Sequence, residues 1–116
     1  MNRELYDEIL SEDQSGARRR EYEALAKVVD LLQEANGRSI ADTGLTRALD
    51  LLEALWSIFI DDLASSGNML PDDLRARLIS IGLWVTRTSA EVRLAGGGDL
   101  GALIDVNAAI RDGLRH

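Results

Sequence analysis

The chain of 116 residues contains no cysteine, one proline (Pro71), one histidine at its last position (His116) and 4% aromatic residues. Each scarcity excludes chemistry. Without cysteine there are no disulfides, thiol nucleophiles or thiolate metal ligands, and a single terminal imidazole provides neither a general base within a fold nor a Cys/His zinc set. Cations are scarce as well, with 13 Lys plus Arg against 20 Asp plus Glu and a net charge of -7. That balance leaves no broad basic face to displace counterions from phosphates, so direct nucleic-acid binding is not expected. No stretch approaches the ~18 consecutive apolar residues of a membrane span, and residues 1–8 contain no apolar signal core, which predicts a cytoplasmic protein without a membrane partner.

What is present is 46% hydrophobic residues distributed in long periodic segments. Runs of alternating β-branched and polar residues are missing, and the single Asn-Gly pair, Asn36-Gly37, follows a helical pattern as a stop signal. The chain is therefore read as all-α, a small antiparallel helical bundle of three long helices plus a shorter C-terminal helix. Residues 1–14 form an N-terminal arm or short helix, in which Leu5, Tyr6, Ile9 and Leu10 can share a side, and residues 15–116 form a single bundle domain. Ser15 is the expected cap of the first long helix, which ends at Ala35 and carries Tyr22, Leu25, Val29 and Leu32 on one stripe. The second helix starts between Ser39 and Thr43, ends near Ala64, and has a seam of Leu45, Leu49, Leu52, Trp56, Phe59 and Leu63.

The third helix spans about 71–94, with Pro71 at its first position and Asp72 and Asp73 in its first turn. Its stripe of Leu74, Leu78, Ile81, Val85, Thr88 and Val92 is the most regular in the chain, and Gly82 in mid-helix predicts a close helix approach. Gly96-Gly97-Gly98 ends it. Asp99 is the expected cap of the fourth helix, whose face of Leu100, Leu103, Asn107, Ile110 and Leu114 is interrupted by one amide.

Candidate chemistry is thin. Gly96, Gly98 and Gly101 match a dinucleotide-binding glycine string, but a helix precedes them where a strand is required, so a plain flexible linker is the better reading and no cofactor is expected. Asp61-Asp62 and Asp72-Asp73 point about 100° apart along a helix and do not converge on a metal. Arg18-Arg19-Arg20 is the one basic cluster, read as a solvated first turn or an ion-pairing contact for a protein partner. No set of side chains defines an enzyme. Trp56, Phe59 and Trp84 fit a core, yet the second and third helices hold more apolar residues than one stripe requires, which suggests a groove for a partner helix or a homodimer interface.

Several blocks resemble one family. Leu55-Trp56-Ser57-Ile58-Phe59 with Asp62-Leu63, then Asn68-Met69-Leu70-Pro71 and Leu74-Arg75-Ala76, are similar to the FlaF family of flagellar biosynthesis regulators. Ile79-Ser80-Ile81-Gly82-Leu83-Trp84-Val85 with Arg87 resembles the next block, and Leu103-Ile104-Asp105-Val106-Asn107 with Ile110 and Gly113-Leu114 the last, over roughly residues 15–115. Tyr6, Arg18 and Glu21-Tyr22 also fit. Leu52, Glu53 and Ala54 stand where polar or basic residues precede the Leu-Trp pair in the family. The resemblance implies a cytoplasmic, non-enzymatic regulator that supports flagellin synthesis or secretion, binding flagellin as a chaperone or adaptor and acting in opposition to the translational regulator FlbT, a further partner. Contact with flagellin messenger RNA and a homodimeric scaffold are the alternatives. The candidate partner-binding residues are Trp56, Phe59, Leu83 and Trp84.

Overall fold

A computed structural model describes the backbone of residues 3–114 and the side chains of residues 18–114. Four helices follow one another: α1 (Arg3–Ala35), α2 (Thr43–Ala64), α3 (Asp72–Leu94) and α4 (Gly101–Gly113). The described residues form an all-α bundle; the one isolated bridge pairs Ser39 with Gly97 between two loops. Three helices of 33, 22 and 23 residues and one of 13 match the expected three long and one short.

The expected start after Ser15 is the one helix boundary that fails by more than a residue; Pro71, expected at the first position of α3, stands at its cap position instead. Ser15 lies inside α1, which runs unbroken from Arg3. Between residues 3 and 35 there is no proline, and the only poor helix former, Gly16, costs about 1 kcal/mol relative to alanine, too little to end a helix this long. The shared side expected for Leu5, Tyr6, Ile9 and Leu10 lies outside the described side chains. The other boundaries follow local chemistry. Gly37 adopts φ +83° directly after α1, as a helix stop requires. Asp42 caps α2, its carboxylate accepting the Gly44 N–H at 2.8 Å and the Leu45 N–H at 3.3 Å. Asp99 accepts the Gly101 N–H at 2.8 Å from one residue before the cap position of α4, which Leu100 occupies.

The core lies mainly between α1, α2 and α4. Val28, Leu32 and Ala35 of α1 meet Leu45, Leu49, Leu52 and Trp56 of α2 and Leu100 and Leu103 near the start of α4, all nearly inaccessible, and Leu25 and Val29 of α1 are fully buried as well. α3 packs on α2 and only grazes α4. Its predicted stripe is correspondingly half covered: Val85 is buried, Leu78, Ile81, Thr88 and Val92 are half-buried, and Leu74 is exposed. The face α3 turns fully inward is Gly82, Val85 and Ser89. A Cβ on Gly82 would sit 2.8 Å from Ile60 Cδ1 and 2.9 Å from Trp56 Cε3, so the expected close helix approach is present. Charged groups fasten the far end of this pair: Ser89 Oγ donates to Glu53 Oε2 at 3.1 Å, and Arg93 donates to Glu53 and, at 2.7 Å, to Asp50.

The glycine triplet is an ordered clasp, which corrects its reading as a flexible linker. Gly96, Gly97 and Gly98 all have positive φ. The Ile40 N–H donates to the Gly96 carbonyl at 2.8 Å, the Gly37 N–H to that of Gly98 at 2.9 Å, and the Gly98 N–H to that of Arg38 at 3.2 Å. A side chain on Gly97 would strike the Arg38 carbonyl and block this approach of two loops, whereas Gly96 and Gly98 are required by their positive φ alone. Asn36 completes it by accepting the Leu100 N–H at 2.8 Å, which ties the end of α1 to the start of α4.

Candidate functional site

Where α3 and α4 fail to close on each other, a cavity of about 120 Å³ opens over α2. Its floor is built by the seam of α2. Trp56 is 1% exposed, and its Nε1 donates to Asn107 Oδ1 at 2.7 Å, while Asn107 Nδ2 donates to the Leu103 carbonyl at 2.7 Å. The amide that interrupts the apolar face of α4 is therefore the partner of the buried indole. Phe59 meets Trp56 edge to face, with ring centroids 5.4 Å apart at 82°, and Leu63 continues the floor one turn on. Leu78 of α3 forms one wall, and Ile110 and Leu114 form the other.

The turn between α2 and α3 supplies the upper edge. Ser65 Oγ accepts the Gly67 N–H at 3.1 Å, and Asn68 Oδ1 accepts the Leu70 N–H at 3.0 Å, two local turns that place Leu70 against the cavity. Arg75 reaches back across this turn from α3, donating to the Leu63 and Ser65 carbonyls at 3.3 and 3.4 Å and to Asp72 at 2.6 Å. Its charge thus stands at the C-terminal end of α2, whose last turn has no basic residue of its own.

The rim carries acid. Glu21 of α1 and Asp62 of α2 both line the cavity, with Asn68 Nδ2 donating to Asp62 at 3.2 Å. Burial first, and then the charge of Asp62, hold the Glu21 carboxyl above the usual glutamate range, partly offset by Arg18 and Arg20. An apolar bowl with a carboxylate lip suits an apolar side chain accompanied by a cation. Among the described residues no histidine, cysteine, serine or lysine lines it, and no three His, Cys, Asp or Glu side chains gather as a metal ion would need.

The four candidate contact residues separate in space. Trp56 and Phe59 line the cavity, Trp56 as part of its floor rather than as a projecting side chain. Leu83 is 58% exposed on α3, and Trp84 is half-buried against the core; neither faces the cavity. Leu70, Glu21 and Asp62 belong to the site without having been singled out. A hydrophobic Met69-Leu70 pair in an otherwise polar turn was the available signal for Leu70, whereas nothing in the spacing of Glu21 and Asp62, 41 positions apart, joins them.

Among the described residues no helix is long and apolar enough to cross a membrane. No curated protein and no solved structure matches the chain. One family does, described as flagellar protein FlaF, over residues 2–114 and thus across all four helices. The chain belongs to the FlaF family, and its role is a non-enzymatic one in flagellar biosynthesis.

Proposed function

We propose that the protein acts in the cytoplasm as a chaperone or adaptor for flagellin, binding an amphipathic helical segment of it and so supporting flagellin synthesis or secretion. The observation that carries this reading is the apolar cavity left open between α3 and α4 at the surface of an otherwise packed bundle. Membership of a flagellar family supplies the context, and the -7 net charge argues for a protein rather than a nucleic-acid ligand. Segments that are disordered before assembly can fold onto such a surface as helices, presenting apolar residues at spacings of three and four.

Co-purification of flagellin with the full-length chain tests the proposal. Wild type is expected to retain flagellin, and Leu70→Asp and Leu114→Asp, at the edges of the cavity, are expected to lose it while melting cooperatively. Undiminished capture by both folded variants would move the contact elsewhere, and no capture by wild type would remove flagellin as the partner.

A further inference from the structure

The cavity is specific in size and charge, and both properties describe its occupant. At about 120 Å³ it is smaller than the ~150 Å³ site that encloses benzene, so it takes one large apolar side chain and not a whole helix face. Its apolar walls come from three elements: Phe59 on α2, Leu78 on α3, and Ile110 with Leu114 at the end of α4. The same opening is lined by Glu21 and Asp62, so any group seated against the apolar floor has two carboxylates within a side chain's reach.

We propose that this opening recognises a two-residue signature on a partner helix: a large apolar side chain inserted over Phe59 and, three or four positions away on the same face, a lysine or arginine set between Glu21 and Asp62. Positions three and four apart on a helix are neighbours, so one element can deliver both groups together. The carboxylates confer selectivity. Two like charges sharing a partly dehydrated rim are disfavoured by themselves, and burial and Asp62 indeed make Glu21 harder to ionise. A cation brought by the ligand relieves that repulsion, whereas an acidic residue at the same place adds to it. Arg18 and Arg20, on the preceding turn of α1, act on Glu21 more weakly than burial and Asp62 do and leave this preference in place. A second copy seated through its exposed Leu83 with Arg87 would place one protomer's α3 on another's cavity, a head-to-tail contact that builds rings or open chains rather than a two-fold dimer.

This deepens the flagellin reading and rests on it only for the identity of the partner. The test uses the full-length chain with labelled leucine and isoleucine methyl groups and a synthetic helical peptide of about fourteen residues, roughly four turns. The peptide carries leucines on one face and a lysine four positions after the central one; a twin has glutamate in its place. Saturable shifts at Leu70, Leu78, Ile110 and Leu114 are expected with the lysine peptide, and binding of the twin at least about tenfold weaker, equivalent to ~1.4 kcal/mol. In Glu21→Gln/Asp62→Asn the two peptides should bind alike. Absence of shifts at these methyls, equal binding of the twins by wild type, or self-association that occupies the cavity in sedimentation would overturn the proposal. Retention of flagellin by a chain that ignores both peptides would leave the flagellin reading standing and remove this one, and peptide binding without flagellin capture would do the reverse.

Discussion

A tryptophan indole and an asparagine amide both need hydrogen-bond partners when buried, and in this protein they satisfy each other. Trp56 Nε1 and Asn107 Oδ1 are 2.7 Å apart in a site that water does not reach. Trp56→Phe keeps most of the ring but leaves the amide oxygen of Asn107 without its donor, which costs about 1–3 kcal/mol. Chemical denaturation should show that loss, and Asn107→Leu in the same background should recover part of it by removing the stranded group. Glu21 behaves differently, because its fold disfavours the charged form. Its carboxyl is raised by burial and by Asp62, so the native state holds the proton more tightly than the unfolded chain does. Stability from this group is then fully present below the unfolded glutamate pKa and is lost as pH rises through the folded value. Glu21→Gln should be more stable than wild type at neutral pH, with the difference vanishing in acid; melting curves across pH check the sign.

At the level of elements, three of the four helices were legible from their punctuation. Asn36-Gly37 marks the end of α1, the Ser39–Thr43 stretch contains the start of α2, and Ala64, Pro71 and the glycine triplet mark the end of α2 and both ends of α3 within about a residue. These boundaries are local, set by caps, by a missing N–H or by a positive φ, and the residue type alone announces them. The start of α1 was misplaced for the same reason in reverse: Ser15-Gly16 looks like punctuation but carries too small a penalty to interrupt a continuous helix. The glycine clasp could not be read locally, because its partners are Gly37, Arg38 and Ile40, on a loop separated from it by two helices. Gly97 has φ +106°, and a Cβ there would collide with the Arg38 carbonyl oxygen. Gly97→Ala should therefore cost about 1–3 kcal/mol or more through backbone strain alone. Gly113→Ala, with nothing near its Cβ, should be close to neutral, and comparison of the two melting temperatures separates strain from a general intolerance of side chains at glycine.

Across the whole molecule the helices are unequally held. α1, α2 and α4 share the buried core, whereas α3 leans on α2 through Gly82, Val85 and Ser89, is pinned at one end by the ion pairs of Arg93 and is tied at the other by hydrogen bonds of Arg75. Its other end, with Leu74 39% exposed and Leu78 facing the open cavity, has fewer buried apolar contacts. Local opening follows such inequality. Native-state amide exchange should find residues 75–81 of α3 less protected than residues 48–56 of α2, and ligand in the cavity should narrow the gap. Equal protection would mean that the bundle opens only as a unit.

By itself the sequence determined the helical class, most helix ends, the absence of thiol and imidazole chemistry, and family membership, because each depends on residue type and on spacing within one segment. It also contained a surplus of apolar residues, and the most regular stripe, Leu74 to Val92, proved the least buried. Only the tertiary structure decided that Trp56 is buried in the cavity floor, that Leu83 and Trp84 lie away from the cavity, and that Glu21 and Asp62 share one rim. The physical reason is that a stripe records which face of a helix prefers to leave water, whereas the neighbour that covers it is set by packing among all four helices. α3 and α4 each present an apolar edge to the other, and the small opening between them appears only when both are placed on α2.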